Sequence, residues 1–408
     1  MEGIENTCMN VPRETLRPLP YHVELRDYLK AKEGSLWKWF ASAQAQAAYF
    51  DSLRLELLKA TYRLDAGSHP ELYQGLDEVK AALGLDIPVT IYQAQHANDL
   101  NATLFYIPGE GHVVLSGPML SLLSAEEIKS VLGHELAHYH LWQADEGELL
   151  IVDRLLQAVC QDHRAHESHV QSARWFQLYT EIYADRGSLR ATGNIESAVA
   201  ALVKIMTGLQ HVSGGSYLKQ AEEVFQKSDV KTTGLSHPEA FIRARALQLW
   251  AEGAEDCDRL IATMIEGSAA FDDLDLLGQV RLTRFTRKFL EQLLQPKWFR
   301  TDAVMGHAKL LFDDFAPANA PDESFLAGTE FGERKMQEYL CFLLLDFVSV
   351  DPELDRLPLA AALEWSKRLE ILPAFEKLVN KELKVKARDI NKLKNEAAEL
   401  LAKAEAAA

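Results

Sequence analysis

Apolar residues recur at three- and four-residue steps from about residue 22 to 64, through Tyr28, Leu29, Leu36, Trp37, Phe40, Tyr49, Leu53 and Leu57. That spacing predicts amphipathic helix. Gly67 to Pro70 interrupts it, and a second helix is expected from about Glu71 to Leu83, ended by Gly84. The period then changes. Residues 87–92 (IPVTIY) are rich in β-branched side chains and predict a strand. Residues 102–107 and 112–115 predict two more, joined as a hairpin through Pro108-Gly109-Glu110-Gly111. Ser124 followed three residues later by Glu127 forms a capping-box pattern, so a helix should start there and run to about Gln143. Helical periodicity continues to about Trp250 and beyond, broken at Pro296, at 316–321 (APANAP) and at Gly328.

The predicted class is α+β, mostly helical, with a small β-hairpin or sheet. Four stretches are expected: a helical segment over 1–65, a core over 66–250, a helical connector over 251–320 and a helical domain over 321–408. The run 316–321 is the best linker candidate. The charged, alanine-rich end from Lys381 reads as an exposed helix or a frayed tail.

At 408 residues the chain exceeds what one core usually serves. Its net charge of -17 repels phosphate backbones and anionic lipid, so no nucleic-acid partner is expected. Cys8, Cys160, Cys257 and Cys341 are scattered, which predicts free thiols rather than a disulfide framework or a cysteine metal site. The first twenty residues carry no apolar signal segment, and apolar runs such as 339–350 and 199–206 are too short to span a bilayer. These features predict a cytoplasmic protein without a membrane span.

The chemistry is concentrated in His134-Glu135-Leu136-Ala137-His138. On a helix the two imidazoles, four residues apart, share a face and can reach one metal ion. Glu135 can then touch a metal-bound water without being a ligand. Apolar Ile128, Val131, Leu132 and Leu136 surround this polar trio, which must find partners or be costly. A catalytic zinc keeps three protein ligands. Glu181, in the helical stretch Thr180-Glu181-Ile182-Tyr183-Ala184-Asp185, would complete the set, with one Zn2+ per chain. Asp185, four residues on, would accept from the non-metal nitrogen of His134. The expected reaction is peptide-bond hydrolysis with Glu135 as general base. An extended protein or peptide substrate could add to strand 102–107 through Ala102, Leu104 and Tyr106.

The order of hairpin, HELAH helix, E-x-x-x-A-D helix, His237-Pro238 and Arg243 resembles the M48 family of zinc peptidases, within the gluzincins, in its soluble branch. The resemblance spans about 66–250 and includes His69-Pro70-Glu71-Leu72-Tyr73 and Asn101-Ala102. It implies a gluzincin-like core and a zinc metalloendopeptidase activity. It also implies that His237 lies near the oxyanion and that Arg243 supports the site. The region past 251 is not covered. Residues 340–383, with Asp346, Asp351, Glu353 and Asp355, bear a faint compositional likeness to TerB-like helical domains, which makes the C-terminal helices a candidate interaction or regulatory module. A latent peptidase-like scaffold working through such contacts is the alternative reading. His163, His166 and His169 are expected on a solvated helix face, His140 turned away from the metal in a structural role or exposed, and Cys8 as a plain thiol.

Overall fold

The computed structural model describes residues 16–42, 47–95, 99–228, 230–267, 274–322, 324–326 and 334–407. Cys8 and Gly328 lie outside them. The chain packs as two compact units, Met1–Gly267 and Ser268–Ala408.

In the first unit a four-stranded sheet runs in the order β1-β2-β4-β3. β1 is Thr61–Leu64, β2 Val89–Ala94, β3 Asn101–Ile107 and β4 Glu110–Ser116. β3 and β4 form the expected hairpin across Pro108-Gly109, with Asn101 opposite Ser116 and Ile107 opposite Glu110. β4 lies parallel to β2 and β1 antiparallel to it, so β3 is left at one edge. Residues 61–64 were expected as the end of a helix. The sheet overrides that pattern, because Thr61 to Leu64 find ladder partners in Ile91 to Ala94 of β2. β2 also starts two residues later than expected. Pro88 has no N–H to give the ladder, and its carbonyl instead accepts from Gly111.

Before the sheet stand α1 (Pro20–Lys32), α2 (Gly34–Phe40) and α3 (Ala47–Ala60). α4 (Pro70–Leu83) ends at Gly84 as the sequence predicts. After β4 come a short turn of helix, α5 (Met119–Leu122), and α6 (Ala125–Gln143). Ser124 and Glu127 close the capping box of α6 reciprocally. The unit continues with α7 (Glu148–Gln161), α8 (Glu167–Thr192), α9 (Ile195–Thr207), α10 (Gly214–Lys227), α11 (Ala240–Ala251) and α12 (Cys257–Glu266). α6 lies against β3 and β4 on one side and α8 on the other. Tyr139 of α6 accepts from the Gly109 N–H at 3.0 Å, which ties the hairpin turn to the helix.

The second unit is helical: α13 (Leu276–Leu293), α14 (Asp302–Leu311), α15 (Arg334–Val348), α16 (Leu357–Arg368), α17 (Leu372–Glu382) and α18 (Ala387–Ala407). Phe289, Phe347, Leu363 and Phe375 are among its buried core residues. The run 316–321 is not a linker between units. The Ala318 N–H donates to Glu291 O at 2.9 Å, and Arg300 donates to Ala318 O at 3.2 Å, so the run is strapped across the end of α13. α18 is not frayed either. Ile390, Leu393 and Ala397, at three- and four-residue steps, bury one face of it against α16. Among the described residues no helix is long and apolar enough to cross a membrane.

Candidate metal centre

α6 and α8 cross more closely than side chains normally allow. A Cβ on Gly187 would come within 2.3 Å of Ala137 Cβ and 2.7 Å of Gly133 O, and one on Gly133 within 2.8 Å of Gly187 O. Only paired glycines let the two backbones meet there, between His134 on one helix and Asp185 on the other. Ser188 adds a bond across the crossing, to Ser130 O at 2.9 Å. Gly187→Ala should therefore wedge the helices apart. The expected cost is about 1–3 kcal/mol of stability in a denaturant titration, with weakened metal binding; an unchanged midpoint would show that the crossing has slack.

This contact brings the HExxH helix and the ExxxD helix together. His134, His138 and Glu181 each offer one ligand atom, all within 4.8 Å of one another. His134 Nε2 lies 3.4 Å from Glu181 Oε2, and His138 Nε2 lies 3.7 Å from Glu181 Oε1. Atoms about 2.1 Å from a tetrahedral centre stand about 3.4 Å apart, so the spacing fits one zinc-sized ion. Glu181 Oε2 is buried with only long contacts, to His134 Nε2 at 3.4 Å, His237 Nε2 at 3.5 Å and Arg243 Nη2 at 3.6 Å, a deficit that a cation would relieve. Among the described residues no other trio of His, Cys, Asp and Glu meets in this way.

The supporting contacts run outward from these groups. Asp185 sits 3.1 Å from His134 Nδ1, which leaves Nε2 turned toward Glu181. Arg243, from α11, donates to Asp185 twice, at 2.6 and 2.8 Å, and lies 3.6 Å from Glu181. His237 Nε2 is 3.5 Å from Glu181 Oε2. The sequence-predicted Glu135, Asp185, His237 and Arg243 are thus all gathered around the trio.

The charges are set by this burial and pairing. For His134 burial pushes the pKa down, but the Asp185 and Glu181 hydrogen bonds outweigh it and lift the imidazole to about 10. Burial lowers His138 to about 4 and raises Glu135 to about 7. Burial also works against an ionised Glu181, yet the hydrogen bond and charge of His134 hold its carboxyl far below the usual range.

A cleft of about 880 Å³ opens over this cluster. Ala102 and Leu104 of edge strand β3 line it beside Glu135 and His138, and the Leu104 N–H faces the Glu135 carboxylate. The Tyr106 side chain packs on Tyr139 with ring centroids 4.7 Å apart and meets Trp142 edge-on at 6.0 Å.

Two residues of this site escaped the sequence reading. Trp142 stacks on His138 at 5.6 Å; it continues the four-residue stripe 134, 138, 142, a signal that was present. His22 of α1 accepts the Leu19 N–H at Nδ1 and reaches Thr180 Oγ1 at 3.2 Å through Nε2. Burial lowers His22 to about 3, so this neutral imidazole braces α8 one residue before Glu181. No sequence pattern joins residues 22 and 180. His140 plays its expected structural part, with Nδ1 2.6 Å from Tyr183 Oη. His163 and His166 are exposed but stand in the turn before α8 and at its start rather than along a helix face.

A profile of peptidase family M48 matches residues 68–251. The plastoglobule-localized metallopeptidase 48, chloroplastic, of Arabidopsis thaliana is 25% identical over 197 residues, covering 43% of this chain and 56% of that protein's length. No solved structure matches the chain.

Proposed function

We propose, for a chain whose residues 68–251 match the profile of peptidase family M48, a zinc-dependent endopeptidase reaction at His134, His138 and Glu181. The single observation that carries it is the placement of the buried Glu135 carboxyl between this trio and the edge strand β3. When bound, zinc supplies a Lewis acid that acidifies a water and polarises the scissile carbonyl.

The chain's own residues do the rest. An extended peptide lies along β3, whose outer edge offers main-chain groups at Ala102 and Leu104, so that sequence-independent hydrogen bonds hold the substrate. Glu135 takes the proton of the attacking water and passes it to the leaving amine. In the metal-free protein burial raises this carboxyl to about 7, which favours a group that can both accept and release a proton. His237 stands beside Glu181 and donates to the oxyanion that develops on the carbonyl. Asp185, held by Arg243, fixes the ring of His134. An open edge rather than a closed end to the strand favours cleavage within a chain.

The test is the purified full-length protein with its metal content measured. Equimolar zinc is expected, along with hydrolysis of an unfolded casein-like protein. A chelator should abolish the hydrolysis and added zinc restore it. Cleavage that survives complete metal removal would sink the proposal. Zinc-loaded protein that cleaves nothing would favour the scaffold alternative.

A further inference from the structure

His237 is a side chain with a narrow task on an irregular stretch of chain. It lies between α10 and α11, its imidazole is 57% exposed, and yet its Nε2 comes to 3.5 Å from Glu181. What holds the stretch is mostly side chains. Arg174, half-buried on α8, donates from Nε to Gly234 O at 2.8 Å and from Nη2 to Thr232 O at 3.1 Å. The Glu239 carboxylate gathers Thr232 Oγ1 at 2.7 Å, the Thr233 N–H at 2.9 Å and Thr233 Oγ1 at 2.7 Å. The Gly234 N–H donates to Thr232 Oγ1 at 3.1 Å, and the Thr232 N–H to Met264 O at 2.9 Å. A Cβ on Gly234 would sit 1.9 Å from His237 O, so the turn is folded tightly back on the residue before Pro238.

We propose that Arg174 is a positioning residue that sets where His237 stands relative to Glu181. The inference deepens the peptidase reading and rests on it. Arg174 and Glu181 are seven residues apart on α8, two turns along one face of a rigid helix. One helix therefore carries both the Glu181 carboxylate and the anchor of the His237 stretch. Among the described residues no carboxylate pairs with Arg174. Its acceptors are two carbonyls of a single turn, and the planar fork of a guanidinium fixes two such bonds in direction as an ammonium cannot. Arg174 lines the same cleft as the metal site.

A double-mutant cycle with a structural readout decides it. Arg174→Ala is expected to keep full zinc content and near-parental KM, and to lower kcat about 10 to 100-fold, the scale on which small misplacements act. In a His237→Ala background, Arg174→Ala should cause no further loss, because both changes remove the same contribution. Arg174→Lys should fall between parent and Arg174→Ala. Independently of turnover, hydrogen exchange at the amides of Thr232, Thr233 and Gly234 should quicken in Arg174→Ala while α6 and α8 stay protected. Losses that multiply across the cycle, or a rise in KM with kcat unchanged, would overturn the proposal. If the parent itself hydrolyses nothing, the peptidase reading fails. The exchange data then still decide the clamp, and unchanged exchange at 232–234 rejects it. Should Arg174→Ala not fold, Arg174→Gln is read by the same measurements.

Discussion

Glu135→Gln is expected to leave the protein folded and zinc-loaded while removing nearly all hydrolysis, a loss of about 100 to 10,000-fold, as is usual when a general base is removed. The amide matches the carboxyl in shape but cannot take a proton from water. Glu135 is not one of the three grouped ligand atoms, so zinc content should equal the parent's. Stability gives a second check, with a definite sign. Burial raises the Glu135 carboxyl from 4.5 to about 7 in the metal-free protein. An acid whose pKa rises on folding adds no cost below its unfolded value. It weakens the fold increasingly as pH climbs from about 4.5 to about 7, and by a constant amount above that. The neutral amide escapes this cost, so metal-free Glu135→Gln should unfold at a higher temperature than the parent at pH 7 and at nearly the same temperature at pH 4. A variant that cleaves at the parental rate would remove Glu135 from the mechanism.

Glu181→Gln should empty the site. Glu181 contacts both histidines and is held ionised chiefly by His134, with Arg243 beside it, whereas a neutral amide is a poor zinc ligand. Asp185→Asn provides the graded comparison. It disturbs a partner of His134 rather than a ligand, and should weaken zinc affinity or activity about 10 to 100-fold. The expected order of zinc retention under a competing chelator is parent, then Asp185→Asn, then Glu181→Gln. Parental zinc affinity in Glu181→Gln would dismiss the ligand assignment. Parental affinity and activity in Asp185→Asn would dismiss the supporting role.

Much of the first unit was legible because its signals are local. The capping box of α6, the stop of α4 at Gly84 and the β3–β4 hairpin each depend on a few adjacent residues, and all three stand where the pattern put them. The misreadings share one cause. Thr61 to Leu64 follow a helix with no break in their own pattern, and only the exposed ladder of β2 draws them into a strand. The Ala–Pro run 316–321 has the composition of a spacer, but the carbonyl and the guanidinium that Ala318 meets belong to Glu291 of α13 and to Arg300 just past it. The alanine-rich end hides a short apolar stripe whose worth depends on α16 being beside it.

The same division holds at the candidate site. The sequence by itself determined that His134 and His138 point one way, and that Glu181 and Asp185 do too, because a helix places residues four apart on one face whatever surrounds it. It could not determine the distance between the two helices. That distance is decided by Gly133 and Gly187 meeting backbone to backbone, a contact between residues 54 positions apart (187 less 133). Tertiary structure alone likewise placed His22 behind Thr180 and Arg174 against the turn that carries His237. Short-range backbone geometry is written in spacing. The closeness of two surfaces depends on which side chains are absent between them, and no periodicity along the chain records that.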